Sequence, residues 1–166
     1  MGSACARAYP QIIFGAKYFF ERGLKYWFVR DACMSHYNKG ASAERELIKT
    51  LFNQGFAVLR VAGSGVSPLP SPDVVALKDG RILAFECKAW KGKHLAIETK
   101  TFNDEVQWAR TAGAHFFVAW KIPREGWLFI TPESFHNAGK NYLISLIEAK
   151  KCSTTLEVLI GNQTTL

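Results

Sequence analysis

The chain has 166 residues and a formal net charge of +7 at pH 7, with 21 lysines and arginines against 14 acids. That length suits one domain able to bury a real core, and a hydrophobic share of 48% excludes general disorder. The basic balance favours an anionic partner, nucleic acid ahead of a membrane surface.

Residues 1–33 differ in character from the rest of the chain. "QIIFGAKYFFERGLKYWFVRD" is dense in aromatics, and a helix with one apolar side is one reading of it. Lys17, Glu21, Arg22 and Lys25 interrupt it, so it falls short of the roughly 18 apolar residues of a membrane span and of a secretory signal. We expect an extension over 1–36, ahead of a domain over 37–166, and no membrane association.

In chain order, Ser42 is an expected N-cap for a helix over residues 44–53, which Gly55 stops. Residues 56–62, "FAVLRVA", read as a buried strand, and "GSGVSPLPS" as a loop. Strands over 74–78 and 81–87 flank Asp79-Gly80, a strong hairpin signal. "KAWKGKH" reads as a basic loop. Residues 98–112 read as a helix, with Phe102, Val106 and Ala109 on one face and Gly113 as its stop. "AHFFVAW" and "GWLFIT" are two more strands, whose aromatics read mostly as core. The tail suggests a strand over 142–147 and a short helix over 154–160. The order predicts a mixed central β-sheet flanked by helices. Four scattered cysteines, Cys5, Cys33, Cys87 and Cys152, form neither a metal motif nor a disulfide scaffold. They point to a reducing, intracellular (cytoplasmic) setting.

The hairpin carries the chemistry. With a two-residue turn, Lys78 faces Arg81, and counting back pair by pair sets Asp73 opposite Glu86, with Cβ atoms roughly 5 Å apart. Lys88 projects from the same face as Glu86. Facing carboxylates repel, and a divalent cation between them reverses the sign; hard oxygen donors suit Mg²⁺ or Mn²⁺. The other reading is a surface salt bridge of Lys88 with the two acids. A third acid bears on the choice. On a helical wheel, Leu47, Ile48, Leu51 and Phe52 define an apolar arc with Glu44 near its middle and Glu46 opposite. If this helix packs on the hairpin face that bears Glu86, three acids and a lysine meet.

"PD" at Pro72-Asp73 followed by "ECK" at Glu86 to Lys88 resembles the PD-(D/E)xK nuclease superfamily. Further stretches, "YNKGASAERELIKTLFNQGFAVLRVAGSG", "ARTAGAHFFVAWK" and "LEVLIGNQTTL", make the chain from about Tyr37 onward similar to the archaeal-type Holliday junction resolvases. The resemblance implies a restriction-endonuclease-like core and a Mg²⁺-dependent homodimer whose subunits cut opposing strands of a four-way DNA junction. It implies Glu44, Asp73, Glu86 and Lys88 as active-site residues, with Ser64 of the "GSG" loop beside them. Two departures stand out: "VSPLPSP" lacks the basic residues usual after that serine, and Cys87 fills the middle of ExK. Cys87 is expected to turn its thiol into packing while its backbone carbonyl reaches the metal.

Phosphate contacts are expected from Lys39, Arg45, Arg60, Lys91 and Lys93, whereas Lys100 reads as an ordinary solvated charge. His94 and His115 read as a loop and a strand residue, not as catalytic bases. The competing readings are a related nuclease acting on duplex or flap DNA, and a non-catalytic nucleic-acid-binding dimer. The resemblance also implies protein partners in replication and repair, none of which a residue here identifies.

Overall fold

A computed structural model describes residues 30–61 and 69–161, with side chains from residue 40 onward. Helix α1 spans Arg30–Asn53. Ser42 therefore sits inside the helix and does not cap it, a correction to the expected start. Gly40 costs a helix interior only about 1 kcal/mol, too little to interrupt a helix already propagating. The expected stop is correct: Gly55 has φ +80°, and the Phe56 amide bonds back to the Leu51 carbonyl at 3.2 Å.

The main sheet has five strands: β1 Ala57–Arg60, β2 Val74–Lys78, β3 Arg81–Ala89, β5 His115–Ile122 and β6 Gly126–Ile130. They lie side by side in that order. The hairpin register is as read from the sequence, with Val74 opposite Phe85 and Lys78 opposite Arg81. Asp79 and Gly80 both take positive φ, 50° and 77°, which gives the turn the strands' own twist. β3 pairs β5 in parallel, so the chain crosses over through helix α2, Thr99–Ala112. Gly113 ends α2 in the left-handed conformation.

Three differences from the sequence reading matter. β1 is shorter than expected and forms an edge, with Leu59 60% exposed, because one face of this edge lies uncovered. Part of the basic loop is strand: β4, His94–Glu98, pairs β8, Asn141–Ser145, in a second, three-stranded sheet completed by β7, His136–Asn137. The expected strand over 142–147 stops at Ser145, whose side chain starts helix α3, Leu146–Cys152, through a capping box with Glu148. Helix α4 is a single turn, Leu156–Leu159.

Two cores sandwich the main sheet. On one face Leu47 and Leu51 of α1 and Leu159 of α4 meet Val74, Ala76, Leu83, Phe85, Cys87 and Phe129. On the other, Phe102 and Ala109 of α2 meet Ala84, Phe116, Val118 and Trp120 together with Leu95, Ile97 and Ile144 of the second sheet. Trp120, Phe85 and Phe129 are fully buried, so the aromatic wealth is mainly core. Phe52 is an exception to the expected apolar arc, at 68% exposed. Among the described residues, no helix is long and apolar enough to cross a membrane.

Candidate active site

Strand alternation sorts β3. Leu83, Phe85 and Cys87 join the α1 core, so Glu86 and Lys88 point to the α2 side with Ala84. Helix α1 thus packs on the face opposite the Glu86 carboxylate, which corrects the expected route of Glu44 to the site. Glu44 instead lies half-buried on the Cys87 side, where its Oε2 accepts from Arg60 Nε at 2.8 Å and Nη2 at 2.7 Å. It remains near enough for its charge to act on the Cys87 thiol.

Asp73 lies immediately before β2 starts, beside the part of β3 that runs on past its partner. Its amide bonds the Phe85 carbonyl at 3.0 Å, one residue short of strict register, while its carbonyl accepts from the Val61 amide at 2.9 Å. Its carboxylate takes over the ladder: Oδ2 accepts from the Cys87 amide at 2.9 Å. The backbone of Cys87 therefore faces Asp73, and its side chain lies in the core as expected. Burial pushes the Cys87 thiol well above its ordinary pKa, with Asp73, Glu86 and Glu44 adding to the effect. It is a thiol packed in the core, not a thiolate ligand.

Glu86 is only 6% exposed and is ion-paired through Oε1 with Lys88. Burial raises its pKa and Asp73 raises it further, against the opposing pull of Lys88. For Lys88 burial works against the charge, but Glu86, Asp73 and Glu105 together lift its pKa above the lysine value. Lys88 is thus an ammonium at neutral pH. It borders an open cleft of about 370 Å³, also lined by Ala89, Trp90, His94, Leu95 and Ala96.

One acid escaped the sequence reading. Glu105 of α2 is buried beside Glu86, and burial followed by the Glu86 charge drives its pKa to about 10. Its signal was available: Glu105 lies three residues after Phe102 and four before Ala109, on the apolar stripe, just as Glu44 does in α1.

The structure thus brings Asp73, Glu86 and Lys88 together and sets Glu44 at their border. Among the described residues, no three or more His, Cys, Asp or Glu side chains are grouped so that they could hold a metal ion as they stand. Arg45 is exposed one residue from Glu44, and Lys91 and Lys93 are exposed between β3 and β4. Lys39 lies on α1, with its side chain outside the described residues, and Ser64 lies outside them altogether. Lys100 pairs with Asp104 at 2.6 Å on an exposed face, and His94 and His115 are exposed strand residues.

A family model described as archaeal Holliday junction resolvase (Hjc) matches residues 35–165. The chain is 41% identical over 107 residues to the crossover junction endodeoxyribonuclease Hjc of Archaeoglobus fulgidus, covering 64% of this chain and 79% of that protein. It is 38% identical over 109 residues to the enzyme of the same description from Methanocaldococcus jannaschii, covering 65% and 77%. Its fold is similar to the solved structure of the Archaeoglobus fulgidus Hjc, with a TM-score of 0.68 and 31% identity over 76% of this chain and 99% of that one.

Proposed function

This chain belongs to the archaeal Holliday junction resolvase (Hjc) family and is a crossover junction endodeoxyribonuclease; from that premise we propose a Mg²⁺-dependent hydrolysis of junction phosphodiesters centred on Asp73, Glu86 and Lys88. The observation that carries the reading is the crowding of acids at the start of β2. Asp73 and Glu86 repel, the Glu86 pKa is raised, and Glu105 Oε2 is buried without a hydrogen-bond partner. Such a set of hard oxygen donors fits a divalent cation, which would relieve the repulsion.

Asp73 and Glu86 would hold Mg²⁺, or Mn²⁺ in its place, with the Cys87 carbonyl and Glu44 as further oxygen donors. When bound, the ion lowers the pKa of a water and clamps a non-bridging phosphate oxygen. The protein supplies the rest. Asp73 is fixed by the Cys87 amide, so one carboxylate needs no reorganisation. Lys88, held by Glu86 at the cleft, keeps a positive charge where it orients the attacking water or balances charge growing on the phosphate. Ser64 is assigned to the same site on the resemblance alone.

Lys39, Arg45, Lys91 and Lys93 are the proposed phosphate contacts, and Arg60 joins them when it leaves Glu44. We assign the enzyme to recombination and repair within the cell, alongside chromosomal DNA, acting as a homodimer with one cut per subunit. Mixed dimers test this arrangement. Wild-type subunits refolded with excess Glu86→Ala subunits should nick one strand of a four-way junction, while wild-type pairs cut two opposing strands. Paired cuts persisting in proportion to total protein would exclude one active site per strand.

A further inference from the structure

Glu105 is not explained by the three residues that define the proposed centre. It stands on the stripe of α2 that buries Phe102 and Ala109, and it is itself 4% exposed. An apolar side chain there would simply extend the core of Ala84, Phe116 and Val118. Instead the position holds a carboxyl that meets Glu86 and lies within the electrostatic reach of Lys88 and Asp73. One of its oxygens, Oε2, is buried with no hydrogen-bond partner. A buried carboxyl oxygen without a partner weakens a fold. Its presence beside two other acids points to a ligand as its partner.

We propose that Glu105 is a fourth acid of the cation site, its free oxygen serving the divalent ion directly or through a water that the ion keeps. The inference rests on the reading that Asp73 and Glu86 hold that ion. Mg²⁺ dehydrates reluctantly and retains waters, and an acid just outside the closest ligands can hold them in place. The arrangement is also two-sided. Glu44 comes from the α1 face of the sheet and Glu105 from the α2 face, to which Glu86 also points.

The test uses the full chain without DNA. Free Mn²⁺ is followed by electron paramagnetic resonance during titration of wild type, Glu105→Gln, Glu105→Leu and Asp73→Asn. Thermal unfolding of each in EDTA checks that it is folded, and the two Glu105 variants back each other up. The expected result is at least a tenfold loss of Mn²⁺ affinity in both Glu105 variants and in Asp73→Asn. Glu105→Leu should also melt above wild type in EDTA, since the cost of the lone oxygen is gone. Affinity within twofold of wild type in the Glu105 variants, with Asp73→Asn impaired, would overturn this assignment and leave the metal centre standing. Unchanged affinity in Asp73→Asn would overturn the metal centre itself, and this inference with it.

Discussion

The Asp73 carboxylate accepts a hydrogen bond from the Cys87 amide at 2.9 Å, taking the place of a strand neighbour just ahead of the start of β2. One acid of the centre is thereby a structural element as well as a proposed ligand. Asp73→Asn keeps an oxygen acceptor for that amide, and Asp73→Ala removes it. Both should abolish junction cleavage by at least about 10³-fold. Only Asp73→Ala should also lose stability, by about 1–3 kcal/mol, because it leaves a buried amide unpaired. Cleavage assays beside urea unfolding check both parts.

A second prediction concerns Cys87. Its thiol pKa is raised well above the ordinary value, first by burial and then by the surrounding acids, whereas Cys152 is exposed. In the folded protein iodoacetamide should label Cys152 and spare Cys87, as read by peptide mass spectrometry. Cys87→Val, an apolar side chain for the same pocket, should retain cleavage, since only the backbone of this residue faces the site.

Glu105 contributes to the pH dependence of the metal-free protein, in the same direction as Glu86, whose pKa is also raised. The folded state holds the Glu105 proton up to about 10, while the unfolded chain releases it near the ordinary carboxyl value of 4.5. Between those values the folded state binds more protons, so this group's contribution to stability falls as pH rises. Melting temperature in EDTA should therefore decline from about pH 5 towards pH 9. Glu105→Gln should flatten that decline, and a wild-type-like slope in the variant would assign the decline elsewhere.

Much of this site was legible in the sequence. Asp79-Gly80 set the register that puts Asp73 beside Glu86, and alternation along β3 put Cys87 in the core and Lys88 with Glu86. The face on which α1 packs was not legible, because an apolar stripe on a helix does not name the sheet face it covers. Glu44 accordingly reached the border of the site by a different side and with Arg60 attached. Strand β4 was hidden by its basic flank, although Leu95 and Ile97 alternate correctly and are buried. The start of α3 is written as Ser145-x-x-Glu148, a capping box masked by the apolar residues that continue past it. Glu105 was hidden by its charge, on a helix whose apolar face Phe102, Val106 and Ala109 already define without it.

Phosphate contacts make a separate prediction. Lys91→Ala and Lys93→Ala should each weaken junction binding at every sequence and reduce the slope of log K against log salt by about 1. Arg60→Ala should cost less than about 1 kcal/mol of stability, since its pair with Glu44 is partly exposed. Filter binding across a salt series and thermal melts check these expectations.

The most direct measurement offers end-labelled four-way junction, duplex and single-stranded DNA to wild type and Glu86→Ala, with Mg²⁺ or with EDTA. The account predicts symmetric cuts in opposing strands of the junction alone, lost in EDTA and lost in Glu86→Ala while junction binding survives. Junction cleavage that persists in folded Glu86→Ala, or that EDTA leaves untouched, would contradict it.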